Sequence, residues 1–284
     1  MLFLVGKVLF QLPQALACGT NCQSNQKTNA QTSATIAFKN YFRRQFLSKM
    51  KKHIPNAITL ANLFSGCCAL VFVLHGQIST AAMFTAASLV LDWLDGTAAR
   101  RLKVASPLGG QLDSMADMVS FGVVPSAILY QILASQSTAA PFPTAVFWPA
   151  LPVFVLTAFS GLRLAKFNLD SRQTDSFIGL PTPACTTFVL GLGLAWEMNT
   201  LGLRSVLGQN WLIYGVAVLF SGLLVAEIPM FSLKLKPNGG ASSWLILVGS
   251  MVAAGLLFWF LNALGLSVLI LGYIFTSIIF FKKT

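Results

Sequence analysis

Apolar residues run in long blocks along this chain, interrupted by short polar and basic stretches. Eight blocks can be drawn, roughly 54–75, 78–99, 113–134, 145–162, 178–197, 211–232, 242–261 and 264–281. Each is close to the about 20 residues that cross the hydrocarbon core of a bilayer as a helix. The pattern predicts an all-α polytopic membrane protein with about eight transmembrane helices, the last two joined tightly at Leu261-Asn262-Ala263. No Gly-rich linker or composition break divides residues 54–281, so 50–284 reads as one membrane domain. Residues 1–49 differ in kind, with six basic residues, no acidic ones and a polar run at Asn21–Thr35. Their apolar start is broken by Lys7, Gln11, Pro13 and Gln14, which suits a signal peptide poorly. They are expected to be an N-terminal extension of little structure that the membrane domain does not need.

Composition strengthens the membrane reading. Of 284 residues, 55% are hydrophobic and only 10% charged, where a soluble domain carries about 25% charged residues. The net charge of +11 invites a nucleic-acid reading. The basic residues instead sit in short clusters between apolar runs, as the positive-inside effect places them. No nucleic-acid partner is expected. Twelve basic residues of the membrane domain would lie on one side, among them Lys51, Lys52, Arg100, Arg101, Lys103, Arg163 and Lys166, and Arg204 alone on the other. The split puts both ends of the domain and the 100–107 loop in the cytoplasm, as in a bacterial inner-membrane protein. Cys67, Cys68 and Cys185 read as small packing residues, and Cys18 and Cys22 lack the partners of a zinc site.

Acidic residues change the picture more than basic ones do. The chain has eight, and four fall in a window of 26: Asp92, Asp95, Asp113 and Asp117. The first pair is three apart at the end of the second span, and the other is four apart at the start of the third. Those spacings put each pair on one helix face. The short basic connection between them folds the helices into a hairpin, so all four carboxylates converge. Four neighbouring carboxylates repel, and one aspartate at the centre of a membrane helix costs about 2.5–3.5 kcal/mol. Divalent cations relieve both problems, and ligands that are all oxygen suit Mg²⁺ or Mn²⁺. A transporter would instead spread carboxylates through the membrane depth, often in repeated halves.

The residues around the aspartates narrow the chemistry. The window reads Asp92-Trp-Leu-Asp95-Gly96-Thr-Ala-Ala99-Arg100, then eight residues, then Gly109-Gly-Gln-Leu-Asp113-Ser-Met-Ala-Asp117. It resembles the signature of the CDP-alcohol phosphatidyltransferase family, with every fixed position present. That resemblance implies a six-helix membrane core, here with two added C-terminal helices, usually assembled as a homodimer. It implies transfer of a phosphatidyl group from CDP-diacylglycerol to an alcohol, with CMP leaving. Asp92, Asp95 and Asp113 would be ligands to two divalent cations, and Asp117 both a ligand and the general base. Gly96 and Ala99, small and three apart, would let a flat nucleotide approach the helix, with Gly109 opposite. Arg100, one turn beyond Asp95, could offer a fork of donors to a phosphate. The family tends to carry a Pro-Asn start like Pro55-Asn56 near the nucleotide, which makes Asn56 and Thr59 candidate CDP-diacylglycerol contacts.

The acceptor is read from three further stretches: Ser120-Phe-Gly-Val-Val-Pro125, Arg163-Leu-Ala-Lys-Phe-Asn168 and Gly179-Leu-Pro-Thr-Pro-Ala184. They resemble the branch of the family that uses L-serine, the phosphatidylserine synthases, although that branch more often has Arg where Lys166 stands. Serine carries a carboxylate, so Arg163 and Lys166 are the candidate acceptor-binding cations. Glycerol 3-phosphate or an inositol phosphate would also want cations there, and both residues could instead be topology-setting charges at a helix end. Glu227 is expected to pair with Lys234.

Overall fold

A computed structural model describes residues 53–104, 106–137, 146–169, 177–202, 204–230 and 262–281, all within one compact unit, Lys52–Thr284. The expectations for residues 1–49, for the block at 242–261 and for Lys234 lie outside the described residues. The helices are α1 (His53–Leu74), α2 (Ile78–Leu102), α3 (Pro107–Asp117) and α4 (Val124–Ser137). A π-helical turn, Met118–Val123, joins α3 to α4. Then come α5 (Val155–Leu169), entered through the 3₁₀ turn Trp148–Phe154, and α6 (Thr182–Glu197). The short α7 (Arg204–Leu207), α8 (Asn210–Val225) and α9 (Leu264–Phe281) complete the set. A two-residue antiparallel bridge, β1 (Phe177–Ile178) with β2 (Pro229–Met230), is the strand structure among the described residues.

Seven of the eight expected blocks are thus helical, and the membrane reading holds. Among the described residues, His53–Leu74, Pro107–Gln136 and Trp148–Leu169 are long and apolar enough to cross a bilayer, and Asn210–Val225 and Leu264–Ile278 are shorter apolar helices. The third block starts six residues earlier than the apolar pattern suggests. Ser106 is extended and its Oγ accepts from Gly109 N at 3.1 Å, while Pro107 takes the first helical position. A hydroxyl cap followed by proline is a helix start, whatever the hydropathy. Asp113 and Asp117 therefore lie in the second and third turns rather than at the helix start.

Each helix shows one face to the bundle. On α1 the buried positions are Pro55, Thr59, Asn62, Ser65, Gly66, Ala69 and Val73, a stripe at helical spacing. α6 is buried along nearly its whole length, from Thr182 to Trp196, and serves as the central post. Large apolar side chains such as Phe64, Val71, Met83, Val90, Val218 and Phe275 point outward, as they must towards hydrocarbon. Exposed Trp93 lies near one end of the bundle, and exposed Trp148 and Trp211 near the other, the places where aromatics anchor a protein at the two interfaces. Close packing relies on small residues, as membrane helices do. A Cβ at Gly66 would collide with Ser120 Oγ, so glycine is what lets α1 lie against the π turn.

Candidate active site

Four helix ends meet where the carboxylates are: the starts of α1, α3 and α6 and the end of α2, with the last turns of α5 beside them. Asp92, Asp95 and Asp113 can each aim one carboxylate oxygen so that all three lie within 4.8 Å of one another. Asp92 and Asp117 are within hydrogen-bonding reach of each other. Asp95 is buried and touched by the Thr59 side chain. The convergence expected from spacings of three and four is therefore what the helices produce. Asp95 Oδ2, Asp113 Oδ1 and Asp117 Oδ1 are buried and have no partner. Acceptor-only oxygens crowded together without donors are a set that a divalent cation fits.

A cleft beside the carboxylates is lined by Asn56, Thr59, Gly96, Ala99 and Gly109, together with Asp95 and Asp113. Every small or polar residue proposed for the nucleotide, Arg100 excepted, thus faces one space. Arg100 is exposed at the rim, and its Nε donates to Gly96 O at 3.0 Å. Pro55, Val104, Ser106 and Gly110 also line the cleft. The sequence carried a signal for Pro55, in the Pro-Asn start, and for Ser106, as the cap before Pro107.

The two candidate acceptor cations part company. Arg163 is buried, stacks 5.7 Å from the Phe167 ring centre and interacts electrostatically with Asp117. Lys166, one turn on, is exposed near the end of α5. Arg163 Nη1 donates to Thr182 Oγ1 at 3.3 Å, and its Nε has no partner.

The stretches that resemble the serine-using branch come together around this arginine. Gly179 has φ +80°, and a Cβ there would lie 2.7 Å from Leu224 O. Only glycine fits, and the turn it makes is tied by Gly179 N to Ile228 O (2.9 Å) and Leu180 N to Leu223 O (3.0 Å). That turn delivers Thr182 to Arg163. The π turn is clamped from two sides. Thr186 Oγ1 donates to Phe121 O at 2.9 Å, and Thr157 Oγ1 to Gly122 O at 3.0 Å. Ser114 Oγ accepts from Asn168 Nδ2 at 2.8 Å, tying the end of α5 to α3. The clamping roles of Thr157, Thr182 and Thr186 were not legible in the sequence, since their partners are 19 to 65 residues away.

A helical membrane bundle with clustered carboxylates at one end and a small-residue cleft beside them is the architecture of an enzyme that works on a lipid-linked nucleotide. The sequence pattern of the CDP-alcohol phosphatidyltransferases matches residues 52–223, and the chain belongs to that family. Its relatives include the CDP-diacylglycerol–serine O-phosphatidyltransferase of Mycobacterium tuberculosis, 32% identical over 227 residues, 72% of this chain and 73% of the relative. The Bacillus subtilis protein of the same name is 36% identical over 131 residues, 46% and 70% of the two chains. That of Saccharomyces cerevisiae is 38% identical over 160 residues, 51% and 54%. Membership in an enzyme family, with all four carboxylates at one end of one hairpin, sets the transporter reading aside.

Proposed function

We infer that the chain transfers the phosphatidyl group of CDP-diacylglycerol to L-serine, giving phosphatidylserine and CMP. The observation that carries the serine reading is Arg163, a buried guanidinium beside Asp117 that is held by the stretches resembling the serine-using branch. The names of the relatives point the same way.

Asp92, Asp95, Asp113 and Asp117 would hold two divalent cations, Mg²⁺ or Mn²⁺. The chemistry such ions supply is neutralisation of the diphosphate and stabilisation of the attacking and departing oxygens. Gly96, Ala99, Gly109, Asn56 and Thr59 seat the cytidine end of the donor, with Arg100 at the rim for a phosphate. Arg163 receives the serine carboxylate with its fork of donors, and Lys166 adds positive charge at the mouth. Asp117 takes the proton from the serine hydroxyl as that oxygen bonds to phosphorus, while the bond from the same phosphorus to the CMP oxygen breaks. Positioning of the two substrates accounts for much of the remaining rate.

The charge split and the family resemblance support an eight-span homodimer in a bacterial inner membrane, its site facing the cytoplasm. Purified protein in CDP-diacylglycerol micelles, offered serine, glycerol 3-phosphate or an inositol phosphate with Mn²⁺, tests the acceptor. CMP release and chromatography of the lipid product should show serine used best. A clear preference for glycerol 3-phosphate would sink the serine assignment.

A further inference from the structure

Among the described residues, five buried polar side-chain atoms have no partner: Asn62 Nδ2, Asp95 Oδ2, Asp113 Oδ1, Asp117 Oδ1 and Arg163 Nε. Four belong to residues already placed in the site, and their partners are the ions and substrates it binds. Asn62 is the fifth. It is fully buried, and burying an amide donor without an acceptor is unfavourable unless something else supplies one.

Its surroundings say what that is. Asn62 Oδ1 accepts from Ser120 Oγ at 3.0 Å, and its backbone carbonyl accepts from Ser88 Oγ at 3.3 Å. Each serine lies one helical turn deeper than a carboxylate: Ser88 is four residues before Asp92, and Ser120 three after Asp117. The amide therefore occupies the layer beneath the aspartates. Side chains on a helix lean towards its N-terminus. α1 begins at the site, so Asn62 leans up towards the carboxylates. α2 ends there, so Asp92 leans down towards Asn62. With Oδ1 held by Ser120, the NH₂ group is left as a donor without an acceptor in the layer beneath Asp92 and Asp117.

We propose that Asn62 is an acceptor-binding residue, its amide donating to an oxygen of the small alcohol seated between it and Arg163. This rests on the phosphatidyltransferase reading of the site. The ligand it suits is a short alcohol with a strong hydrogen-bond acceptor, such as a carboxylate, close to its hydroxyl. The floor fixes how deep that molecule sits, and so where its hydroxyl lies relative to Asp117.

The test measures KM for serine and for CDP-diacylglycerol in wild type, Asn62→Ala, Asn62→Asp and Ser120→Ala, with thermal stability of each. Asn62→Ala should raise the serine KM about tenfold or more, the loss expected for a bond to a charged group, and leave the donor KM unchanged. Asn62→Asp keeps the Ser120 bond but replaces the donor with an acceptor, and should be at least as impaired towards serine. It also gives the readout should the alanine variant fail to insert. Ser120→Ala keeps the NH₂ group and should be milder than either. An unchanged serine KM in the Asn62 variants overturns the proposal. So does a parallel rise in both KM values matched by Ser120→Ala, which marks a packing role. Wild type that releases no CMP with serine would instead defeat the functional reading, separately from anything Asn62 does.

Discussion

The two ends of the bundle treat their carboxylates in opposite ways. Away from the site, Glu197 accepts from Ile78 N (3.1 Å), Ser79 N (2.7 Å) and Ser79 Oγ (2.5 Å). It caps the first turn of α2, where free N–H groups and the helix dipole favour negative charge. Its neighbours are tied down as well. Gln136 Nε2 donates to Gly208 O (2.5 Å), Asn199 Oδ1 accepts from Arg204 N (3.1 Å), and the Arg204 guanidinium lies 4.5 Å from the Trp196 ring centre. A polar hollow lies there too, lined by Ser135, Gln136, Trp196, Asn199, Arg204 and Ser205, with no carboxylate. At the site end, Asp95, Asp113 and Asp117 each keep a buried oxygen without a partner. The same α2 thus has a satisfied acid, Glu197 of α6, against its start and an unsatisfied one, Asp95, near its end. Polar groups that the fold itself satisfies hold the helices in place, and those it leaves open await ligands.

This contrast can be broken in order of size. Removing divalent cations with a chelator should abolish turnover, and Mn²⁺ or Mg²⁺ should restore it. Ion at 100 times its Kd should also stabilise the protein by about 2.7 kcal/mol, read as a shift in thermal unfolding, and Asp95→Asn should shrink that shift. Next, Asp117→Asn should lower kcat by about 100-fold or more, the usual worth of a positioned base, while CDP-diacylglycerol still binds. Near wild-type turnover at saturating Mn²⁺ would remove Asp117 from the base role. Third, Arg163→Gln should raise the serine KM by roughly tenfold to a hundredfold, with Arg163→Lys recovering part, since an ammonium cannot form a bidentate pair. Equal effects on both substrates would reduce Arg163 to a helix anchor. The smallest effect belongs to the other end. Glu197→Ala should cost about 1 kcal/mol of stability, as lost caps do, and leave both KM values alone.

Much of the site was legible because its signal is local. Asp92 with Asp95 and Asp113 with Asp117 are spaced by helix geometry, and few other charges dilute them. Gly96, Ala99 and Gly109 read as an approach surface for the same reason. What was not legible depends on pairs distant in the chain. Glu197 looks like a helix-end acid until α2 is seen to start 119 residues earlier against it. Asn62 reads as a helix-to-helix hydrogen bond, which it partly is, and only the orphaned half of its amide says more. Arg163 and Lys166 are equivalent by charge, and only their burial in the folded bundle separates them. The start of α3 was misplaced because hydropathy ignores a Ser-Pro cap.

The π turn at Met118–Val123 has a consequence for how the two halves of its long helix can change. A π turn takes in one residue more than the regular helix would, and each residue of an α-helix turns the chain by about 100°. The half carrying Asp113 and Asp117 and the half buried against α6 are therefore out of phase by about that angle. The surplus residue works as a spacer that sets the heading of the aspartates independently of the apolar face below. Thr157 and Thr186 lock that heading by gripping the backbone, so adding or removing one residue within 118–123 would turn the aspartates away whatever side chains stood there.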